Sequence, residues 1–361
     1  MSSAQFTGTT AMQERHRFDE AVLAAYLRER LPGFEGPLQV QQFKGGQSNP
    51  TFLLSTPESE QASYVLRRKP PGRLLPSAHA IEREYRVMSA LRASAVPVPR
   101  TFCLCEDEAV IGSAFYVMEH VAGRILWDPA LPGMSPAERA AIFDSMNATI
   151  AALHGVDYAA AGLADYGRPG NYLARQIGRW ATQYRASETE PIDAMERLIE
   201  WLPAHVPASE AASLVHGDYR LDNLVFHATE PRVVAVLDWE LSTLGHPMAD
   251  FAYHALAWSM PTGEMRGLAG LDLGALGIPS ADAYVARYCE RVGATPPSPL
   301  EWNFYVAYNL FRGAAISQGI MKRALDGSAA SAHALQAGGR ARAVAEAAWQ
   351  RIAGNTGQTP N

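Results

Sequence analysis

Apolar and polar positions recur along this chain with two different periods, and the change from one to the other divides it. The segments Leu38–Phe43, Thr51–Ser55, Tyr64–Arg68, Arg100–Cys105 and Ala114–Glu119 are short β-branched and aromatic runs. Gly, Pro and polar clusters bound them, which predicts strands. Between the third and fourth runs Ile81, Tyr85, Met88 and Leu91 share one helical face, predicting a helix over 77–93. Another helix is expected over Asp19–Leu31. There Asp19 can cap, Val22, Leu23, Tyr26 and Leu27 form the stripe, and Pro32-Gly33 stops it. Residues 1–15 are polar and expected to be mobile.

After Val121-Ala122-Gly123 the period becomes helical, over about 136–154, 171–186, 191–202, 246–258, 279–292, 300–323 and 330–352. One strand-like island interrupts these helices: Leu214-Val215, Asn223–His227 and Val233–Leu237. The class is therefore α+β. The expected divisions are an N-terminal extension with a helix (1–35), a small antiparallel-sheet lobe with one main helix (36–120), and a larger, mainly helical lobe (121–361). No internal repeat or low-complexity tract appears.

Composition narrows the picture. With 48% hydrophobic and 19% charged residues, the chain is long enough to bury a core without staples. Its three cysteines, Cys103, Cys105 and Cys289, make no disulfide framework and suit a reducing compartment. Cys103 and Cys105 fall on one strand face and are expected to pack in a core. A net charge of −6 argues against a nucleic-acid partner. The first 20 residues lack the apolar core of a secretory signal, and no apolar run is long enough to span a bilayer, so a cytoplasmic protein is expected, monomeric or homodimeric. The basic residues are almost all arginine, with lysine only at 44, 69 and 322.

The chemistry is concentrated in Leu214–Glu240, LVHGDYRLDNLVFHATEPRVVAVLDWE. It reads strand, polar loop, strand, turn, strand, acidic end. Asp218 and Asn223 stand five apart, and a hairpin would return Asp238 beside Asn223. Magnesium takes hard oxygen ligands, often one or two from the protein, which Asn223 and Asp238 can supply. Phosphoryl transfer also needs a carboxylate facing the attacking hydroxyl, and Asp218 is placed for that. Arg220 can neutralise charge on the transferred group. Each residue alone would be read as a cap or turn residue; the linked set carries the argument.

His216-Gly217-Asp218-Tyr219-Arg220-Leu221-Asp222-Asn223 resembles the catalytic loop of the aminoglycoside phosphotransferase family, and Leu237-Asp238-Trp239-Glu240 resembles its magnesium-binding segment. The chain is also similar to kinase-like domains related to those fused to some acyl-CoA dehydrogenases. The resemblance covers about residues 35–320. It implies a bilobal, protein-kinase-like fold that moves the γ-phosphate of ATP, with Mg2+, onto a hydroxyl of a small molecule. Asp218 would be the base, and Asn223 and Asp238 the metal ligands. His216 is expected to pack and hydrogen-bond. Asp222 would brace the loop, with a metal contact as the alternative. Asp250, in PMADFAY, is either a brace of the catalytic loop or a helix-surface acid.

In the first lobe, the turn Lys44-Gly45-Gly46-Gln47-Ser48-Asn49 would bring Gly45, Gly46, Ser48 and Asn49 toward phosphates. Arg67 stands on the third strand where protein kinases have lysine, as in the dehydrogenase-fused relatives. Glu82 and Glu84 compete as its partner. Glu84 borders the apolar face and is preferred, while Glu82, four before Arg86, suits a solvent-side pair. Phe115–Val121 resembles the family's hinge, where Glu119 and Val121 would offer backbone groups to adenine. No phosphorylatable activation segment follows Asp238, which disfavours a protein kinase.

Candidate acceptor residues are Trp180, Tyr184, Tyr305 and Arg312, on helices without the acidic cluster an aminoglycoside would want. A choline-like acceptor would want an aromatic cage. The fused-domain resemblance suggests a hydroxyacyl thioester or related acid, whose charge Arg312 could meet. A nucleotide-binding pseudokinase scaffold is the rival reading: Arg67 favours it, while Asp218, Asn223 and Asp238 oppose it.

Overall fold

A computed structural model of the chain describes residues 8–31, 34–44, 49–56, 63–70, 80–209, 211–263, 266–327 and 334–354. In the first lobe, strands β1 (Thr9–Thr10), β2 (Gln39–Phe43), β3 (Thr51–Ser55), β4 (Ser63–Arg68), β5 (Thr101–Cys105) and β6 (Phe115–Glu119) form one antiparallel sheet, ordered β1-β2-β3-β4-β6-β5. Helix α1 (Glu20–Arg28) starts where Asp19 accepts N–H bonds from Ala21 and Val22. It packs Leu23 and Leu27 on Phe52, Leu54, Leu66, Phe115 and Val117, one face of the sheet. Cys105 is buried on this face and Cys103 packs against it, as their spacing predicts. Helix α2 (Ile81–Leu91) covers the other face, where Val65, Tyr116 and Met118 join the main core. Alternation along β4 thus places Arg67 on the α2 side, opposite Tyr116 in the ladder.

The second lobe begins with β7 (Arg124–Ile125) and α3 (Pro136–His154), which opens with a capping box between Ser135 and Glu138. Helices α4 (Tyr172–Ala186) and α5 (Asp193–Ala204) follow. Next come β8 (Ser213–Val215), β9 (Leu224–Phe226), β10 (Val233–Val236) and β11 (Thr243–Gly245). They make two small sheets, β10-β9-β7 and β11-β8. Helices α6 (Pro247–His254), α7 (Leu273–Leu276), α8 (Ala281–Val292), α9 (Pro299–Leu325), α10 (Ala334–Gly338) and α11 (Ala341–Ala353) complete the lobe. The 27-residue α9, capped by Ser298 and Glu301, runs through the core and packs against α4, α6, α10 and α11.

Four sequence expectations change. Thr9-Thr10 is a strand on β2, with Thr9 Oγ1 2.8 Å from Gln41 Oε1, rather than part of a mobile tail. Asn223 lies in a 3-10 turn and the strand starts at Leu224, so the side chain faces the loop it was meant to serve. The helix over 246–258 ends at His254 and continues as a 3-10 turn. The helix over 330–352 is broken at Gly338-Gly339, where a Cβ on Gly338 would lie 2.6 Å from the Met321 side chain. Residues 77–79 of the α2 segment, the Pro32-Gly33 stop and residues 330–333 lie outside the described residues.

The crossover between lobes is close-packed. A Cβ at Gly123 would sit 2.3 Å from the Phe226 carbonyl oxygen and 2.6 Å from Val225 Cγ1. Gly123→Ala is therefore expected to lower stability by about 1–3 kcal/mol through overpacking. A denaturant midpoint at the wild-type value would contradict this.

Candidate active site

Strand β8 is fully buried and delivers its C-terminal end into the loop His216–Arg220. Gly217 adopts φ +83°, and a Cβ there would meet the Leu241 carbonyl oxygen at 2.6 Å, so the turn requires glycine. Asp250, from α6, anchors the loop. Its Oδ2 accepts the His216 N–H and its Oδ1 the Gly217 N–H, each at 2.8 Å. His154 Nε2 lies 3.2 Å from the same carboxylate. Burial works to raise the Asp250 pKa, but His154, His216 and these donors hold it below the ordinary value. Of the two readings of Asp250, the brace fits; at 5% exposure it is no surface acid.

His216 ties this loop to the next one. Its Nδ1 accepts the Asp218 N–H at 3.2 Å, so Nε2 carries the proton and donates to the Leu237 carbonyl at 2.9 Å. The hairpin returns the chain as the spacing predicts, with Leu237 N–H donating to the Asn223 carbonyl at 2.8 Å. Asp238 follows in the left-handed region at φ 66°. For a residue with a side chain this conformation costs of order 1–3 kcal/mol and persists only where neighbours impose it.

Asp218 is surrounded by donors. Asn223 Nδ2 donates to its Oδ2 at 3.0 Å and to its backbone carbonyl at 2.8 Å. Arg220 Nε lies 3.2 Å from Oδ1 and 3.3 Å from Oδ2. The Tyr253 hydroxyl donates to Oδ1. Desolvation lowers the pKa of Arg220, whose side chain is still 46% exposed, less than Asp218 and Asp222 raise it, so the guanidinium stays charged. Asp222 Oδ2 sits 2.9 Å from Arg266 and 3.4 Å from Arg220, which gives it the loop-bracing place.

Arg67 reaches this site from β4. Its Nε is 3.1 Å from Glu84 Oε2, and its Nη2 is 2.6 Å from Asp238 Oδ1 and 3.4 Å from Glu240 Oε2. Burial opposes its charge, but Glu84, Asp238 and Glu240 raise its pKa above the ordinary arginine value. Glu84 is buried, and that pushes its carboxyl up to about 7 against the pull of Arg67, with Asp238 and Glu240 adding to the rise. The alternative carboxylate, Glu82, pairs with Lys69 at 3.0 Å. It does not pair with Arg86, which goes instead to Asp165.

Other expected residues fall differently. Asn49 is fully buried and donates to Glu84 Oε1 at 3.0 Å, so it supports the ion pair instead of offering its side chain to a phosphate. Gly45, Gly46 and Ser48 lie outside the described residues. The Glu119 N–H is already bonded to the Arg100 carbonyl at 2.7 Å, so toward a base it can act only as an acceptor; half-buried Val121 follows at the crossover. Arg312 and Trp180 do come together beside the loop. Arg312 Nη2 donates to the Gly217 carbonyl at 2.7 Å, and its guanidinium lies 4.9 Å from the Tyr253 ring and 5.7 Å from the Trp180 ring. Tyr184 and Tyr305 do not join them. Tyr184 is fully buried with its hydroxyl on the Ile192 N–H, and Tyr305 is buried against His246. Sequence reasoning missed Tyr253, Glu240 and Arg266. A signal existed for Tyr253, which is three residues after Asp250 and so on the same helix face.

The donor set fits a magnesium ion. Among the described residues no three His, Cys, Asp or Glu side chains cluster to hold a metal alone. Asn223 turns its Nδ2 toward Asp218, leaving Oδ1 for a cation, with Asp238 as the second hard oxygen donor. Two protein ligands are what magnesium takes beside phosphates and water.

A sheet lobe, a helical lobe and this loop pair define a kinase-like phosphotransferase fold. Residues 39–300 match the model of the phosphotransferase enzyme family, and the chain belongs to that family. It is 50% identical over 316 residues to mouse acyl-CoA dehydrogenase family member 10, covering 87% of this chain and 29% of that protein. It is 44% identical over 352 residues to rat acyl-CoA dehydrogenase family member 11, covering 95% of this chain and 44% of that protein. The chain thus spans less than half the length of these relatives. A Ralstonia eutropha structure named for the aminoglycoside phosphotransferases superposes with a TM-score of 0.84 at 58% identity, covering 93% of this chain and 98% of that one. Choline kinase from Cryptosporidium parvum shares the fold, with a TM-score of 0.66 at 13% identity over 94% of this chain and 97% of its own.

Asp250→Asn keeps the size but turns one acceptor into a donor facing a backbone N–H. It is expected to cost about 1–3 kcal/mol. Because the folded-state pKa of Asp250 is lowered, its contribution is present above the unfolded value of about 3.9 and is lost as pH falls through the folded value. Stability measured from pH 7 to 2 should show a smaller acid-side loss in the variant. An unchanged acid limb would remove Asp250 from this role.

Proposed function

We propose that this small-molecule phosphotransferase transfers the γ-phosphate of ATP to a hydroxyl group. The observation that carries the proposal is that Asn223 donates to Asp218, while Asp238, paired with Arg67, follows Leu237, whose backbone is bonded to both Asn223 and His216. Arg67, held by Glu84, would meet the nucleotide phosphates. Asn223 and Asp238 would hold Mg2+, which when bound neutralises charge on the phosphates. Asp218 would orient the acceptor hydroxyl and take its proton as the oxygen attacks phosphorus, and Arg220 would balance the charge of the moving group. The pseudokinase reading would leave these three oxygen-bearing side chains together without a use.

For the acceptor, the site favours an acid over a polycation. Arg220 and Arg266 are paired with Asp218 and Asp222, while Arg312, bonded to the Gly217 carbonyl, can meet the negative charge of an acid. Together with relatives named as acyl-CoA dehydrogenase family members, this supports a hydroxyacyl thioester or related hydroxy acid. A cytoplasmic location without nucleic-acid or membrane partners is part of this proposal and rests on the net charge of −6 and the few cysteines.

The roles separate experimentally. Asp238→Ala should abolish magnesium-dependent ATP binding and turnover together. Asp218→Asn should keep Mg·ATP binding while losing roughly 10²–10⁴-fold in turnover, the range a placed base supplies. Calorimetry and kinetics on an acceptor found by screening hydroxy acids decide this, and near-normal turnover in Asp218→Asn would refute the assignment. Arg67→Ala should weaken ATP binding in the same assay; an unchanged dissociation constant would take Arg67 out of the nucleotide site.

A further inference from the structure

The candidate base is already occupied. Two of the donors to Asp218, Arg220 and Asn223, belong to its own loop. The third, the Tyr253 hydroxyl on Oδ1, comes from α6. Its ring is held against the Arg312 guanidinium, 4.9 Å from the ring centre, and Arg312 is fixed on the Gly217 carbonyl at 2.7 Å. Asp250, three residues earlier on the same helix, anchors the same loop through two N–H bonds of 2.8 Å. The phenol is therefore held between Asp218 and the Arg312 guanidinium.

An O–H group donating to the base is also the arrangement an acceptor alcohol must adopt. Burial and the neighbouring Asp218 raise the Tyr253 pKa, so the phenol keeps its proton. Without acceptor, the competing donor is water. Water attacking the γ-phosphorus would give its proton to Asp218 as the new P–O bond forms. The bond to ADP would break, releasing ADP and inorganic phosphate. A phosphotransferase has to suppress this route by keeping water from the base.

We propose that Tyr253 is a specificity-determining residue: its hydroxyl covers Asp218 Oδ1 when no acceptor is bound, withholding the base from water, and yields that oxygen to the acceptor hydroxyl. This rests on the phosphotransferase reading above. An acceptor can displace the phenol because the rest of its structure contributes binding, whereas water brings nothing further.

The test needs no acceptor. Mg·ATP binding by calorimetry and ADP release in acceptor-free buffer are measured for wild type, Tyr253→Phe, Asp218→Asn and the double variant. Phe keeps the ring on Arg312 and leaves room for a water at the lost hydroxyl. Tyr253→Phe should bind Mg·ATP as wild type does and release ADP at least about tenfold faster, a part of what a placed base contributes. The gain should vanish in the double variant. Wild-type or slower hydrolysis by Tyr253→Phe with intact Mg·ATP binding overturns the proposal. So does a gain that survives Asp218→Asn, since water would then be entering a loosened site rather than using the base. Should Phe fail to fold, Tyr253→Met also lacks the hydroxyl and is judged by the same outcomes. Failure of wild type itself to bind Mg·ATP would instead refute the phosphotransferase reading, and this inference with it.

Discussion

One buried guanidinium joins the two halves of this molecule. Arg67 rises from the middle of the first lobe's sheet and is shared by Glu84 from α2 and by Asp238 and Glu240 from the loop after β10. Removing a charge from water costs several kcal/mol per ion, so the arrangement holds only because the partners surround it. Glu84 is held in turn by Asn49 at 3.0 Å and the Tyr116 hydroxyl at 3.1 Å. The strained backbone at Asp238 is paid for within this cluster. Arginine suits the position, since its delocalised charge lies close to Glu84 through Nε while Nη2 donates to Asp238 and Glu240.

Around that pair the second lobe is organised by backbone satisfaction. The catalytic loop has to leave a buried strand and carry polar groups into a cleft without orphaning its N–H groups. One carboxylate, Asp250, meets two of them. One imidazole, His216, spans from the Asp218 N–H to the Leu237 carbonyl, so the segments that carry Asp218 and Asp238 are fixed to each other. Mobile chemistry is thereby placed on a rigid frame of β8, α6 and α9. Arg312 extends the frame by joining α9 to Gly217, Tyr253 and Trp180.

Much of this was legible in the chain. The helix over 136–154 has the boundaries its pattern predicts, because Ser135 and Glu138 write a capping box and the apolar period is unbroken. The five longer strands of the first lobe fall within a residue of expectation, since β-branched and aromatic runs bounded by Gly, Pro and polar clusters mark them. The Asn223 carbonyl and the Leu237 N–H meet because the hairpin between them has a legible length. Less local features were not readable. Thr9-Thr10 becomes a strand only by pairing with β2. The break at Gly338 reflects how closely that segment approaches Met321 on α9. Tyr184 and Tyr305 share an aromatic, polar-tipped character with Tyr253, and only their partners in the fold, Ile192, His246 and Asp218, tell the three apart.

The sequence by itself determined the change from strands to helices, the place of most elements, and the spacing of Asp218, Asn223 and Asp238, because each follows from periods, caps and short hairpins that act over a few residues. The tertiary structure decided which groups complete the site. Arg67 and Asp238 are 171 residues apart in the chain, and Asp218 and Tyr253 are 35 apart. Their meeting depends on how the sheet lobe seats on α2 and how α6 and α9 pack beneath the loop. No local period encodes that, because a hydrogen bond between distant segments exists only where packing has already brought donor and acceptor within about 3 Å of each other.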